Sequence, residues 1–254
     1  MQMTGNTILI TGGSSGIGRA LAEAFHAHGN QVIITGRRKA LLNEVSAAHP
    51  GITAMELDVE DPKAIAAFAR EVTARFPKLN VLINNAGIMR HELLTSDQVD
   101  VSIAEATVAT NLLGPMRLSA ALLPHLKAQP QATIITVSSG LAFVPRADYP
   151  AYCATKAAIH SWSQSLRFQL RNTSVRVLEL APPYVQTELT GAHQLTDERA
   201  MPLGAFITEV MTLLEQPPAN GEILVQRVYP QRFAEASGKY DEFFAAYHAR
   251  VVKS

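Results

Sequence analysis

Tyr152 and Lys156 stand four residues apart in the run Tyr152-Cys153-Ala154-Thr155-Lys156. On a helix that spacing puts both side chains on one face, about one turn from each other. A free tyrosine has a pKa of about 10 and exchanges protons poorly at neutral pH. An ammonium held close favours the phenolate, and a lowering of ~2–3 units takes roughly 3–4 kcal/mol of differential interaction. The pair is therefore suited to proton transfer. Spacing alone decides little, because six Tyr and seven Lys in 254 residues give roughly 0.2 chance matches. Taken in isolation, a helix-surface tyrosine beside a solvated lysine is the simpler reading. The deciding signals lie elsewhere in the chain.

A glycine turn is the first of them. Thr7-Ile8-Leu9-Ile10-Thr11 is a short β-rich apolar run. Gly12-Gly13-Ser14-Ser15-Gly16-Ile17-Gly18 follows at once, and then an amphipathic stretch from Arg19 to His28 that Gly29 ends. The order is strand, turn, helix and stop. Glycines let the backbone approach a pyrophosphate closely, and the helix N-terminus offers free N–H groups and a positive dipole end. At a first βα turn, Gly12, Gly16 and Gly18 thus point to dinucleotide binding. A P-loop is excluded because no Lys-Ser/Thr pair closes the turn.

Gly36-Arg37-Arg38 follows the second strand, where an NAD-binding chain carries an acid for the ribose hydroxyls. Guanidinium groups there suit a 2′-phosphate, so NADP(H) is the expected cofactor. Asp58 ends the third strand and can either meet the adenine edge or cap the next turn. Asn84-Asn85-Ala86-Gly87 comes after the fourth strand, where small and amide residues line a cofactor groove or form a bare turn.

These residues need a frame of alternating elements. The expected strands are 7–11, 31–35, 53–57, 81–83, 133–137, 175–180 and 222–226. Between them come helices over 39–48 and 151–171, one opening at Asp61-Pro62, and a long helical region from Ser96 to Leu123 with breaks of its own. Alternation of this kind implies an α/β fold with a parallel sheet covered on both faces. No linker, repeat or low-complexity tract interrupts it, so one domain over 1–254 is expected. Two segments depart from the alternation. The polar excursion 187–203 is expected over the carboxyl ends of the strands, as a substrate loop. The tail 227–254 carries Phe233, Tyr240, Phe243, Phe244 and Tyr247, and is expected to pack on its own or a neighbouring subunit.

Composition narrows the partners. Net charge is zero and pI about 7.1, with no basic block, which argues against nucleic acid and acidic membranes. The eight His are scattered and no metal site is legible. Cys153 is the single cysteine, so no internal disulfide can form, which suits a reducing compartment. No apolar window reaches membrane-spanning length, and a cytoplasmic chain is expected.

TGGSSGIG at 11–18, NNAG at 84–87, Asn111 within TNLLGP, Ser139 thirteen residues before Tyr152, and YCATK form an ordered set. As a set they resemble the short-chain dehydrogenase/reductase family from Thr7 to about Leu189. Within it, the TGRR, APPYVQTEL and RFAEASGKY stretches are similar to the DltE-like oxidoreductases. The resemblance implies a doubly wound sheet in the order 3-2-1-4-5-6-7 and reversible hydride transfer between NADP(H) and a carbonyl/alcohol substrate. It implies Tyr152 as general acid or base, and Lys156 as the group that holds the nicotinamide ribose and lowers the Tyr152 pKa. Ser139 would hydrogen-bond the substrate oxygen, and Asn111 would order a water that links Lys156 to solvent.

Cofactor contacts are expected from Gly12, Ser14, Ser15, Gly16, Ile17, Gly18, Arg37, Arg38, Asp58, Val59, Asn85, Ala86 and Gly87. Tyr152, Lys156, Pro182, Val185 and Thr187 complete that set. Leu141, Val144, Tyr149 and Tyr184 are expected to line a mainly apolar substrate pocket. Pro183 replaces the family's usual glycine, which removes an N–H beside the nicotinamide. The usual Gly-Gly after the last strand, a place of tetramer packing, is also absent. A homodimer or homotetramer is still expected, from apolar Ile159, Trp162, Leu166 and Leu170 on one helix. Two rival readings are a ketoacyl-type reductase of carrier-bound substrates, which would want a basic patch, and a catalytically silent NADP-sensing module.

Overall fold

Strands rich in Ile, Val and Leu with no polar face are suited to burial on both sides. In the computed structural model, which describes residues 2–249, the strands are β1 (Thr7–Thr11), β2 (Gln31–Gly36), β3 (Ile52–Glu56), β4 (Leu79–Asn84), β5 (Ala132–Val137), β6 (Val175–Leu180) and β7 (Glu222–Ile223), and β1, β2, β4 and β5 are mostly such runs. They make one seven-stranded parallel sheet in the order β3-β2-β1-β4-β5-β6-β7. The order reverses between β1 and β4, and the crevice at that switch is where α/β sheets bind ligands.

Alternate residues of each strand face opposite helical layers. Ile8 and Ile10 pack with α1 (Gly16–Ala27), α2 (Lys39–Ala48) and α7 (Leu203–Glu215) through Leu21, Phe25, Leu42, Val45, Phe206 and Val210. Leu9 and Leu82 pack on the other face with α3 (Pro62–Arg75), α5 (Gly114–Ala128) and α6 (Pro150–Leu170), through Ile65, Phe68, Leu118, Leu122 and Leu170. Asp61 caps α3 as its spacing predicts, its Oδ1 accepting from Lys63 N at 2.7 Å with Pro62 in the first turn.

Apart from shifts of one or two residues at element ends, such as β3 ending at Glu56 before Asp58, the structure differs from the sequence reading in three places. The helical run expected from Ser96 begins at α4 (Ser102–Val108), where Asp100 Oδ1 accepts from Ser102 N, and continues through a π-helical turn (Ala109–Leu113) into α5. The seventh strand stops at Ile223 rather than Gln226. Its partner β6 runs on into Pro182-Pro183, which have no N–H to extend the ladder, and Gln226 N donates to Glu209 Oε1 instead. The apolar residues of α6 also serve differently, because Ile159 and Leu170 are buried in the chain's own core. Phe168, 67% exposed, is left as the large apolar side chain on that helix, with the Arg171 guanidinium 3.9 Å from its ring centre.

After β7 the chain forms α8 (Tyr229–Arg232) and α9 (Tyr240–His248) and folds back over the segment that follows β5. Gln231 lies directly against Gly140 and bonds the Tyr247 hydroxyl, while Ala147 N donates to His248 Nε2 at 2.9 Å. The last part of the expected tail, 250–254, lies outside the described residues. Among the described residues no helix is long and apolar enough to cross a membrane.

Candidate active site

The glycine turn at the head of β1 is shaped by the absence of side chains. A Cβ on Gly12 would stand 2.9 Å from Ala86 Cα, and one on Gly18 would stand 2.3 Å from Asn85 Nδ2. Gly12 and Gly16 also adopt positive φ of 68° and 54°, open to glycine and strained for other residues. Asn85 Nδ2 donates to Thr11 O at 2.9 Å, and Thr11 Oγ1 accepts from Asn85 N and Ala86 N at 3.0 Å each. These bonds tie the end of β4 to the end of β1. The first turn of α1 contains no acid, and its N-cap Ser15 makes no side-chain capping bond, so the helix presents free N–H groups suited to an anion. Such a cradle fits a dinucleotide pyrophosphate.

The two arginines after β2 separate. Arg38 Nη2 donates to Ser14 Oγ at 3.1 Å and Ser15 Oγ at 2.6 Å, which places its guanidinium on the glycine turn. Arg37 turns to carboxylates, with Glu60 Oε1 at 2.9 Å and Asp58 Oδ2 at 3.9 Å. Asp58 Oδ1 in turn accepts from Glu60 N, the turn-capping role left open by its sequence position. Val59 is buried, its carbonyl against Gly114. On the far side of the cradle, Thr187 lies about a van der Waals contact from where a Gly16 Cβ would sit. Thr187 and Val185 are buried and held by Gln194 Nε2, which donates to Thr187 Oγ1 at 3.0 Å and Val185 O at 2.7 Å. Pro182 O accepts from Gly140 N at 2.8 Å.

Tyr152, Lys156, Ser139 and Asn111 converge although they come from α6, the end of β5 and the π-helical turn. Tyr152 and Lys156 lie one above the other, with Nζ 5.5 Å from the tyrosine ring centre, and both are buried. Lys156 Nζ donates to Val137 O at 2.8 Å. The Ser139 hydroxyl lies close enough to Tyr152 to lower its pKa, and its Oγ accepts from Leu141 N at 3.1 Å. Asn111 Oδ1 accepts from Ile88 N and its Nδ2 donates to Ile88 O, both at 2.9 Å, with Thr155 Oγ1 at 3.3 Å. A Cβ on Gly87 would meet Asn111 Oδ1 at 3.3 Å and Lys156 Nζ at 3.8 Å, so the glycine lets the loop after β4 pass close to both.

Burial governs the charges here. It pushes the Tyr152 phenol up to about 12, opposed by the Ser139 hydroxyl. Lys156 is pushed down to about 8 by burial, opposed by the carboxylate of Glu179. The phenol is therefore held protonated in this structure, opposite in direction to the lowering that the resemblance implies.

The residues expected around the substrate are less uniform. Leu141 and Tyr149 are half-buried, and Tyr184 is partly exposed with its hydroxyl on Asp197 Oδ2 at 3.2 Å. Val144 has no exposed surface and backs the wall rather than facing an opening. Cys153 is buried, with its sulfur 3.3 Å from Arg146 N, which excludes it as a free nucleophile. Sequence reasoning did not find the role of Glu92, a buried loop residue whose Oε1 accepts from Ala151 N at 2.9 Å and so caps α6, the helix that carries Tyr152 and Lys156. It also missed Glu179, whose signal was an acid near the end of a strand that is apolar apart from the exposed Arg176.

Comparison with known proteins gives the family. The family model described as short chain dehydrogenase matches residues 6–198. The chain therefore belongs to the short-chain dehydrogenase/reductase family of oxidoreductases. It is 48% identical over 189 residues to "Uncharacterized oxidoreductase DltE" of Bacillus subtilis (strain 168), covering 74% of this chain and 75% of that one. Among solved structures it is similar to a short chain dehydrogenase from Burkholderia cenocepacia J2315 in complex with NADP, at TM-score 0.80 and 25% identity, over 97% of this chain and 98% of that one. It is also similar to the 3-ketoacyl-(acyl-carrier-protein) reductase from Brucella melitensis complexed with NADH, at TM-score 0.78 and 26% identity, over 89% of this chain and all of that one.

Proposed function

We propose that this chain is an NADP(H)-dependent reductase of small carbonyl compounds, acting reversibly as an alcohol dehydrogenase. The observation that carries the reading is the convergence of Tyr152, Lys156, Ser139 and Asn111 beside a glycine cradle with an arginine on it. When bound, the cofactor supplies or accepts the hydride. Arg38, fixed by Ser14 and Ser15 at the mouth of the turn, meets the 2′-phosphate. Arg37, Asp58 and Val59 border the adenosine, and Gly12, Gly16, Ile17, Gly18, Asn85, Ala86 and Gly87 line the phosphate groove. Pro182, Val185 and Thr187 close the nicotinamide end.

Tyr152 gives its phenolic proton to the carbonyl oxygen in reduction and takes one back in oxidation. A pKa near 12 favours the acid form, which suits the reductive direction. Ser139 donates to the same oxygen as it gains charge. Lys156 replenishes the proton, and Asn111 links it to solvent through a water. Leu141, Tyr149 and Tyr184 face the substrate with Val144 behind them, a mainly apolar wall that takes an uncharged ketone or aldehyde. The excursion 187–203 covers the site as a lid. A cytoplasmic homo-oligomer, using the α6 face with exposed Phe168, completes the reading.

NADPH consumption measured against a panel of ketones and aldehydes tests it. Turnover is expected with several apolar carbonyls, and Tyr152→Phe should lower kcat by about a thousandfold. Tight NADPH binding with no turnover across the panel, or an unchanged Tyr152→Phe enzyme, would overturn the reading.

A further inference from the structure

Behind the candidate site lies a polar cluster that hydride transfer does not itself require. Glu179, on β6, is 1% exposed. On its face of the strand it follows Val175 and Val177, so a carboxylate ends an apolar row. Ser138 Oγ donates to its Oε1 at 2.5 Å, and His160 Nδ1 stands 2.8 Å from its Oε2. A carboxylate only accepts, so the His160 nitrogen is the donor. This set is no hydrolytic triad: the serine proton is directed to the acid rather than the imidazole, and Ser138 is buried.

Position gives the cluster its meaning. Three consecutive residues end or follow β5, and each reaches a different part of the site. Val137 O holds Lys156 Nζ, Ser138 Oγ holds Glu179, and Ser139 lies close to Tyr152. From the other side, His160 lies one helical turn beyond Lys156 on the same face of α6. Glu179 thus touches both neighbours of the catalytic pair without touching the pair itself.

We propose that Glu179 is a positioning residue for the reaction, its carboxylate serving as counter-ion to Lys156 and as tether for the strand end that presents Ser139. Burial alone drives Lys156 toward the neutral amine, and Glu179 opposes this. The other charged groups facing Glu179 are His160 and Arg167 from α6, Arg232 from α8, and Glu222 from β7, its register partner. The arginines stay charged at every working pH, so Lys156 is the group whose lost proton changes what Glu179 faces.

The inference rests on the reductase reading, and its test separates the two. In NADPH-driven reduction, Glu179→Gln keeps the shape and removes the charge, so the alkaline limb of kcat/KM is expected to move about one pH unit toward acid. Glu179→Asp is expected to return the limb most of the way. A fall in kcat with the limb unmoved would mean a merely structural residue and overturn the proposal, as would an unchanged profile. Urea unfolding supplies a readout without turnover. The loss of stability in Glu179→Gln should be larger at pH 7.5 than at pH 10, and this pH dependence should vanish in the Lys156→Met background. Persistence of the dependence in that background would overturn the coupling, whatever the panel of carbonyls shows.

Discussion

The two halves of the sheet are built of different material. Around the switch point, β1, β2 and β4 present Ile8, Leu9, Ile10, Val32, Ile33, Ile34, Leu82 and Ile83, all enclosed on both faces. At the other edge, β6 and β7 bring two buried carboxylates, Glu179 and Glu222, into register with each other. Those acids are held by Ser138, His160 and a bidentate Arg232, with Nε at 2.7 Å and Nη2 at 3.0 Å from the two Glu222 oxygens. Apolar burial has no pH dependence of its own, whereas buried ion pairs hold only while both members are charged. The cofactor half can keep its shape at any pH the fold survives. The half that sets Ser139 and Lys156 ties its geometry to titration.

Cutting each half should expose that difference. Leu82→Ala removes buried methyl groups and should cost ~2–5 kcal/mol, by the same amount at pH 7 and pH 4. Arg232→Met leaves Glu222 unpaired. Arg232 is a quarter exposed, so solvent screens part of the loss and ~1–2 kcal/mol is expected at pH 7. Its hydrogen bond and charge help hold the Glu222 pKa below the ordinary value of 4.5 against the opposing effect of burial, so the stability from this pair is present above that value. It is lost as pH falls through the lower folded value, and the gap between variant and parent should close in acid. Urea unfolding at the two pH values checks both variants, and parallel behaviour would erase the distinction.

Lys156 sharpens the comparison from the basic side. Its folded pKa of about 8 lies below the ordinary 10.5, so between these values the unfolded chain binds more protons. Parent stability should therefore rise with pH across that window. Lys156→Met lacks the slope, and its stability relative to the parent should fall by up to ~3 kcal/mol from pH 8 to 10.5. A flat difference would show that the buried amine keeps its proton as the unfolded chain does, with no lowering of its pKa.

The cofactor half, and from the other half only the Tyr152–Lys156 spacing, was legible. The glycine turn, the loop at Asn85–Gly87 and the spacing of Tyr152 from Lys156 are local patterns, readable because each lies within a few residues of one element end. Strand order followed from alternation and the family resemblance. What stayed hidden depends on contacts between distant segments. Glu92 caps a helix that starts 58 residues later, Gln231 closes on Gly140, and Glu179 meets residues 41 and 19 positions before it. The early end of β7 was hidden for a similar reason, since two prolines just past the end of the neighbouring strand decide it. Sequence could place Asn111 in a helical region but not in a π-turn, where its amide bonds Ile88 and Thr155 from distant segments.

The arginine pair is the sharpest place to test whether the cofactor half divides its labour as the contacts suggest. Sequence treats Arg37 and Arg38 alike. The structure gives Arg37 to Glu60 and Asp58, so its charge is largely answered, and sets Arg38 between two neutral hydroxyls with donors to spare. A guanidinium facing a phosphate gains a charge-assisted bond that a paired one gains only by giving up its partner. Arg38→Ala should therefore raise KM for NADPH about tenfold and leave NADH nearly unchanged, at ~1.4 kcal/mol of lost binding. Arg37→Ala should change the NADPH-to-NADH ratio by less than that. Steady-state KM values for both cofactors decide it: a larger effect at Arg37 would mean that the phosphate draws Arg37 away from Glu60, and an equal preference in the parent enzyme would remove the 2′-phosphate from the argument altogether.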